Sequence, residues 1–285
     1  MCGIYGIVKF KNSTFNTKLL RVILKKLALE SKLRGRDATG YAFMQKNGIN
    51  IFKHNVYADS FIDLKNYKKV VRENMLGEND PCVVIGHTRQ QTLGSPTNPN
   101  NNHPIRTGSI VGVHNGMISN HNEIFKWLNE QSSGKIKRIA QVDSEAIFSM
   151  IDYMSSTFKW PAKHSNNNNI FGHIGDPTSK AITRVAAKLR GSFACALLDA
   201  DNPNNMWLFR GNGQLAVNYY RKEKLLIFAS IERFIDKSVE VFNLSTPDTL
   251  NFEVDTGMCI DSKKGTYNMF DLDINPNTYT SSFMC

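Results

Sequence analysis

An α+β fold with mainly antiparallel sheets is expected from three features of this 285-residue sequence. Short apolar runs of strand length mix with one amphipathic helix in the first part of the chain. Helical stretches follow in the middle. The last third reads as a meander of strands separated by turn signals. A βαβ wind would instead alternate strand and helix from end to end. No internal repeat and no clear interdomain linker interrupts the chain.

The elements follow in order. Residues 3–10 alternate loosely and read as a strand. Residues 17–33 place Leu19, Leu20, Ile23, Leu27 and Leu33 near helical spacing, which predicts an amphipathic helix. The runs GYAFMQ and INIFKH flank KNG, a hairpin signal. CVVIGHT (82–88) and SIVGVHNG (109–116) are apolar runs that end in polar residues, as buried strands do when they deliver side chains to a site. A polar, Asn- and Pro-rich loop (94–104) separates them. Asn120 with Glu123 three residues on predicts a capped start for the helix EIFKWLNE. DSEAIFSMIDYM (143–154) is a further helix with Asp143 at or near its start. Residues 163–179 read as a loop with a low-complexity Asn run at 166–169. SKAITRVAAKLRG reads as a helix stopped by Gly191. The strands SFACALLDA, NMWLFRG, QLAVNYY and KLLIFAS close the meander, and 251–285 adds one or two strands and a polar tail.

Bulk composition narrows the function classes. The chain is 41% hydrophobic and 21% charged, ordinary for a globular protein. No apolar run approaches the ~20 residues of a membrane span, and the apolar start ends at Val8, too short for a secretory signal. This reading expects a soluble, cytoplasmic protein with no membrane partner. The cysteines are Cys2, Cys82, Cys195, Cys259 and Cys285, an odd number without a C-x-x-C pair, as for reduced thiols. The net charge of +10 reads as solvated lysines spread over the surface, because no nucleic-acid motif accompanies it. His87, His103 and His114 lack the spacing of metal ligands on one helix, and His164 and His173 fall in the Asn-rich loop, so no metal site is expected. No G-x-G-x-x-G or P-loop is present, and no cofactor is expected.

The residues that remain form a recognition set around a thiol. Cys2 follows the initiator methionine; removal of Met1 would give one residue both a thiol and a free α-amine, a nucleophile with its own base. The bland alternative is a frayed second residue. Arg89 suits a bidentate pair with a carboxylate. Asp143 suits an ammonium. The side-chain amide of Asn115 beside the unshielded backbone N–H of Gly116 suits a tetrahedral oxyanion. Together they fit an amino acid that carries a side-chain amide.

The segments MCGIYGIV, RGRDATG, GHTRQQTLGSPTNPNNNHP, VGVHNGMISNH, VDSEAI, LRGSFACALLD and IFAS stand here in one order. In that order the chain resembles class II glutamine amidotransferases, whose glutaminase domain is an N-terminal-nucleophile hydrolase, and it is most similar to the glutaminase half of glucosamine-6-phosphate synthases. The resemblance covers roughly residues 2–265. It implies a four-layer αββα sandwich of two mainly antiparallel sheets, a domain over 2–272 and a polar tail over 273–285. It also implies roles: Cys2 as nucleophile with its α-amine as general base, Asn115 and the Gly116 N–H as oxyanion hole, Arg89 and Thr92 on the substrate carboxylate, and Asp143 with the Gly116 region on its ammonium end. The stretch 89–97, with Gln90, Leu93, Gly94 and Pro96, resembles a lid over bound glutamine. L-Glutamine is then the substrate.

Two positions depart from the family. The residue after the H-T-R arginine is usually aromatic and is Gln90 here; the family members that this chain most resembles carry His where it has Leu93. Both lie in the lid and bear on substrate choice, so an amidohydrolase of another γ-glutamyl compound stands as an alternative, as does a catalytically silent binding module. About 20 residues follow the resemblance, so this reading expects a stand-alone glutaminase that passes ammonia to a separate synthase subunit, with a homo-oligomer also compatible.

Overall fold

The computed structural model describes residues 2–75, 79–157 and 176–274. The Asn run 166–169, His164, His173 and the tail from 275 onward lie outside the described residues. The first half of the chain forms β1 (Gly3–Lys9), α1 (Thr17–Ser31), β2 (Ala38–Gln45), β3 (Gly48–His54), α2 (Ala58–Ile62), α3 (Tyr67–Asn74), β4 (Cys82–Arg89), β5 (Ile105–Thr107), β6 (Ile110–Ile118) and α4 (His121–Gln131). There follow α5 (Ser144–Thr157), α6 (Pro177–Ala186), β7 (Gly191–Asp199), β8 (Asn205–Arg210), β9 (Ala216–Tyr220), β10 (Leu225–Ala229), α7 (Glu232–Val239), β11 (Asp248–Leu250), β12 (Thr256–Asp261) and β13 (Thr266–Asp271).

The strands make two antiparallel sheets. One has the order β11-β9-β10-β1-β4-β2-β3, the other β13-β12-β8-β7-β6-β5. Alternate residues of each central strand feed two different cores. In β1, Ile4 and Val8 point between the sheets, whereas Tyr5 and Ile7 pack under the helices α1 and α7. In β7, Ala194, Ala196 and Leu198 face the other sheet, and Phe193, Cys195 and Leu197 face α5 and α6. The result is the four-layer αββα sandwich. It also explains why these strands read as continuous apolar runs: both faces are covered, so the period of two is hidden.

The registers decide where chemistry collects. Gly3 pairs with Thr88, so Cys2 leaves β1 beside Arg89 at the end of β4. The hydroxyl of Thr88 donates to the Ser31 carbonyl at 2.7 Å, which ties this sheet end to the end of α1. In the second sheet β6 ends at the same side of the sandwich, presenting Asn115, Gly116 and Ile118.

Two local expectations differ from the structure. Asn120 sits before α4 but its side chain does not cap it. It instead bridges to the next segment, donating to the Lys188 carbonyl (2.9 Å) and accepting from the Arg190 N–H (3.0 Å). Gly191 does not stop α6, which ends at Ala186; it opens β7 with φ +129°. The helices α2, α3 and α7 are short elements for which the sequence reading supplied no expectation. Leu272 is buried and Ile274 packs against the core beneath α5 and α6.

Candidate active site

The thiol of Cys2 is half-buried and accepts the backbone N–H of Gln90 at 3.2 Å. Arg34 Nε donates to the Cys2 carbonyl at 2.7 Å, fixing the residue from its backbone. Burial pushes the Cys2 thiol up from its ordinary value, while the Gln90 N–H and the nearby Arg89 charge pull it down. The thiol thus sits in a place that penalises a free thiolate but already offers one donor to it.

The turn that presents Gln90 is fastened by Asp37. The Asp37 N–H donates to the Arg89 carbonyl (2.8 Å). Its carboxylate accepts the Gln91 N–H (2.5 Å) and the Gln90 side-chain amide (3.2 Å). RGRDATG therefore contributes Arg34 and Asp37, one on each side of the Cys2–Gln90 contact. The sequence signalled the segment but not these roles, because both partners come from distant strands.

Arg89 is buried, and its guanidinium is occupied by the chain itself. It donates to Asn102 Oδ1 (2.8 Å), the Leu93 carbonyl (2.5 Å) and the Gly94 carbonyl (2.7 Å). Asn102 also donates to the Pro96 carbonyl at 2.7 Å, and Asn101 holds Ser95 and Gln141. Gly94 has φ +70°, and a Cβ there would meet the Asn101 amide at 2.6 Å, so the loop can fold back over Arg89 only with glycine at this point. Leu93 and Thr92 stand exposed at the loop's crest. Burial and the neighbouring Arg89 charge bring Lys53, which donates to the Asn102 and Pro104 carbonyls, down to about 8.

From the second sheet comes Asn115. Its side-chain amide is buried and donates to Ser230 Oγ at 2.8 Å; the same hydroxyl accepts the Ile4 N–H at 2.8 Å. One bond thus couples the Asn115 amide to the backbone two residues beyond Cys2, across the two sheets. An amide has two N–H donors, and among the described residues this is the one bond its nitrogen makes. Ser230 was visible only as the end of a strand; its part depends on contacts 115 and 226 residues away. Gly116 has φ +133°, and a Cβ would lie 2.0 Å from the Ser192 carbonyl, so no side chain covers this exposed backbone unit. Asp143 is buried and accepts the Ile118 N–H at 2.6 Å.

Three buried histidines lie beneath these groups. His87 Nε2 meets the His114 carbonyl at 3.2 Å. A carbonyl can only accept, so Nε2 carries the proton and Nδ1 is left with no partner. By the same logic His114 donates from Nε2 to the Ser192 carbonyl (3.4 Å) and accepts at Nδ1 from Ser144 (2.8 Å), the residue after Asp143. The rings of His87 and His103 stack at 4.2 Å. Burial pushes His87 down to about 3, and His103 and His114 also lie below their ordinary value for the same reason. These rings are neutral packing and positioning groups. Among the described residues no three His, Cys, Asp or Glu side chains cluster as metal ligands. No helix among them is long and apolar enough to cross a membrane.

Residues 87–237 match the family model of a glutamine amidotransferase domain. Over 217 residues the chain is 30% identical to the glutamine–fructose-6-phosphate aminotransferase (isomerizing) of Staphylococcus aureus, a match that covers 75% of this chain and 30% of that protein. The chain therefore spans about a third of the length of this curated relative. Among solved structures it is similar to the glutamine phosphoribosylpyrophosphate amidotransferase of B. subtilis, with a TM-score of 0.63 at 15% identity over 96% of this chain and 50% of that one. It is also similar to a glutamine aminotransferase class-II domain protein of Silicibacter pomeroyi, with a TM-score of 0.51 at 12% identity over 95% of this chain and 99% of that one. At such identities these likenesses show the shared fold.

Proposed function

The chain belongs to the glutamine amidotransferase domain family, and from that premise we propose that it hydrolyses the side-chain amide of L-glutamine with Cys2 as nucleophile. The observation that carries this reading is the Cys2 thiol, held against the Gln90 N–H at 3.2 Å beside the carboxylate-binding type of side chain, Arg89. Once Met1 is removed, the Cys2 α-amine, with an ordinary pKa of about 8, takes the thiol proton. The thiolate attacks the amide carbonyl, and the Asn115 amide and Gly116 N–H receive the developing oxyanion. The amine returns its proton to the leaving nitrogen, which departs as ammonia and leaves a γ-glutamyl thioester. Water then adds and releases glutamate, restoring the thiol. A retained Met1 turns the amine into an amide and removes the base, so the unprocessed chain is expected to be inactive.

In this reading the substrate α-carboxylate replaces the Leu93 and Gly94 carbonyls on Arg89, with Thr92 assisting, and Asp143 receives the α-ammonium. The stretch 89–97, with Gln90, Leu93, Gly94 and Pro96, is the lid, and it must unfasten from Arg89 before glutamine enters. The catalytic domain spans 2–272, and no cofactor takes part.

The ammonia goes, we propose, to an acceptor synthase on another chain that seats over the mouth of the site. Support comes from exposed apolar side chains within or next to site residues on four segments: Leu33, Leu93, Met117 and Ile231. Such a rim fits a protein partner. The described cysteines are all free thiols, which suits work in the cytoplasm. A second reading, hydrolysis of another γ-glutamyl compound, is favoured by Gln90, whose amide is tied to Asp37 at the mouth of the site.

The test is release of glutamate and ammonia from L-glutamine by Met1-free protein. Turnover should fall by at least about 10³-fold in Cys2→Ala. Turnover retained in that variant would sink the assignment of the nucleophile. Turnover of γ-glutamyl amides but not glutamine would favour the second reading.

A further inference from the structure

We infer that the end of the sandwich opposite Cys2 holds a binding site for a small phosphorylated metabolite. A cavity of about 290 Å³ lies there, lined by residues from five turns: Lys11 after β1, Lys46 between β2 and β3, Asp80 and Pro81 before β4, Asn204 before β8, and Lys263 after β12. The two sheets both contribute, β1, β2 and β4 from one and β8 and β12 from the other. The strand registers put this cleft about 20 Å from Cys2, the length of β1, so it is separate from the site described above.

Charge decides the ligand class. Three lysines face one carboxylate around the cleft. Four lysines elsewhere form ion pairs among the described residues, Lys32 with Asp59 (2.7 Å), Lys69 with Glu73 (3.9 Å), Lys237 with Glu240 (2.8 Å) and Lys264, next to Lys263, with Asp261 (3.4 Å), while most surface lysines stand apart from one another without one. Lys53 donates to two carbonyls. Among the described residues, Lys11, Lys46 and Lys263 have no ion pair. Three like charges gathered at one opening against the single carboxylate of Asp80 leave an excess of positive charge, and a dianion between them turns the repulsion among the lysines into attraction.

The walls argue for more than a bare ion. Met44, Val83 and Pro203 supply apolar surface beside the lysines, and Gln45, Asn204 and Asp80 supply partners for hydroxyl groups. The cleft is at the small end of ligand-site volumes, which fits a compact phosphate ester rather than a dinucleotide. Ser262 accepts the Lys11 N–H at its carbonyl and donates its hydroxyl to the Asn204 carbonyl, so three of the lining turns are already tied together.

The test is thermal unfolding of the full chain titrated with ribose 5-phosphate, inorganic phosphate and ribose. A saturable rise in Tm with ribose 5-phosphate, weaker with inorganic phosphate and absent with ribose, is expected. Each Lys→Met change at 11, 46 or 263 should weaken binding about threefold to tenfold. Asp80→Asn should tighten it, a gain that misfolding cannot imitate. No rise at millimolar ribose 5-phosphate, a rise retained by the triple lysine variant, or equal affinity for inorganic phosphate would overturn the assignment.

Discussion

At the Cys2 end of the sandwich Arg34, Asp37, Arg89 and Asp143 each meet a partner that the chain supplies: a carbonyl of Cys2, the N–H of Gln91, the carbonyls of Leu93 and Gly94, and the N–H of Ile118. At the opposite end Lys11, Lys46 and Lys263 share a cleft with one carboxylate and make no ion pair among the described residues. The same two sheets end on both sides. The difference lies in what the turns provide. At the first end they fold back and fix each polar group in one orientation, the condition for electrostatic preorganisation. At the second they leave flexible ammonium groups on exposed stems, which suits an anion arriving from outside.

Substitution at the fixed end should therefore be costly, and Asn115 offers the sharpest case. Loss of one oxyanion donor typically lowers kcat by about 10²–10³. Asn115→Ala should do so with little change in KM, provided that the Ser230 hydroxyl stays on the Ile4 N–H. Ser230→Ala is the control: it removes the tether but keeps the donor, and its loss of kcat should be smaller. Equal losses in both variants would mean that the tether, not the donor, is what matters. Arg89→Met comes next. It removes the proposed carboxylate anchor and should raise KM for glutamine by about 10- to 100-fold. Alkylation of Cys2 by iodoacetamide should continue, though more slowly, because the turn that presents the Gln90 N–H to the thiol is held by Asp37 while the guanidinium charge that favours the thiolate is lost. If KM were unchanged, the contacts of Arg89 with Leu93 and Gly94 would be its whole role.

How much of this was legible beforehand depends on the reach of each contact. Arg89 ends β4, Asp143 precedes α5, Asn115 and Gly116 follow the apolar run at the start of β6, and Cys2 directly precedes β1, so the signal of each is local. The alternation in β1 and β7 was blurred because helices cover the outer face of both sheets. Asp37 and Ser230 were silent, since each acquires its part only from a partner 54 or 115 residues away. Asn120 was misread for the opposite reason: its local pattern fits a cap, but the backbone of Lys188 and Arg190 comes close enough to take both ends of its amide. The +10 charge reads as scattered lysines; three turns bring one lysine each to the same cleft, and no periodicity announces that.

Acid should act on the fixed end first. His87 falls from an ordinary 6.5 to about 3 through burial, and His103 and His114 are also lowered. The unfolded chain takes up these protons near pH 6.5 while the folded protein refuses them. Stability is thus full above that pH and is lost as pH falls below about 6.5, down to about 3 in the case of His87, by up to about 1.4 kcal/mol per unit for each histidine still neutral in the folded protein. Urea unfolding from about pH 7 to pH 5, where histidines dominate the titration, reads that slope. His87→Phe keeps the ring stack on His103 and should make the slope shallower by about one proton. An unchanged slope would show that His87 is protonated in the folded protein, against the neutral ring that its burial enforces.

The smallest effect belongs to the far end, and it should have the opposite sign. Removing a charge near Cys2 leaves a partner unanswered, whereas removing one near Lys11 relieves repulsion. The Lys11→Met, Lys46→Met and Lys263→Met triple variant, without ligand and at low salt, should gain Tm by on the order of one degree. Salt at about 1 M shortens the Debye length to about 3 Å, so the gain should vanish there. A loss of Tm instead would mean that the three lysines already have counter-charges in solution. The contrast between the ends would then lie in how rigidly each charge is held rather than in whether it is met.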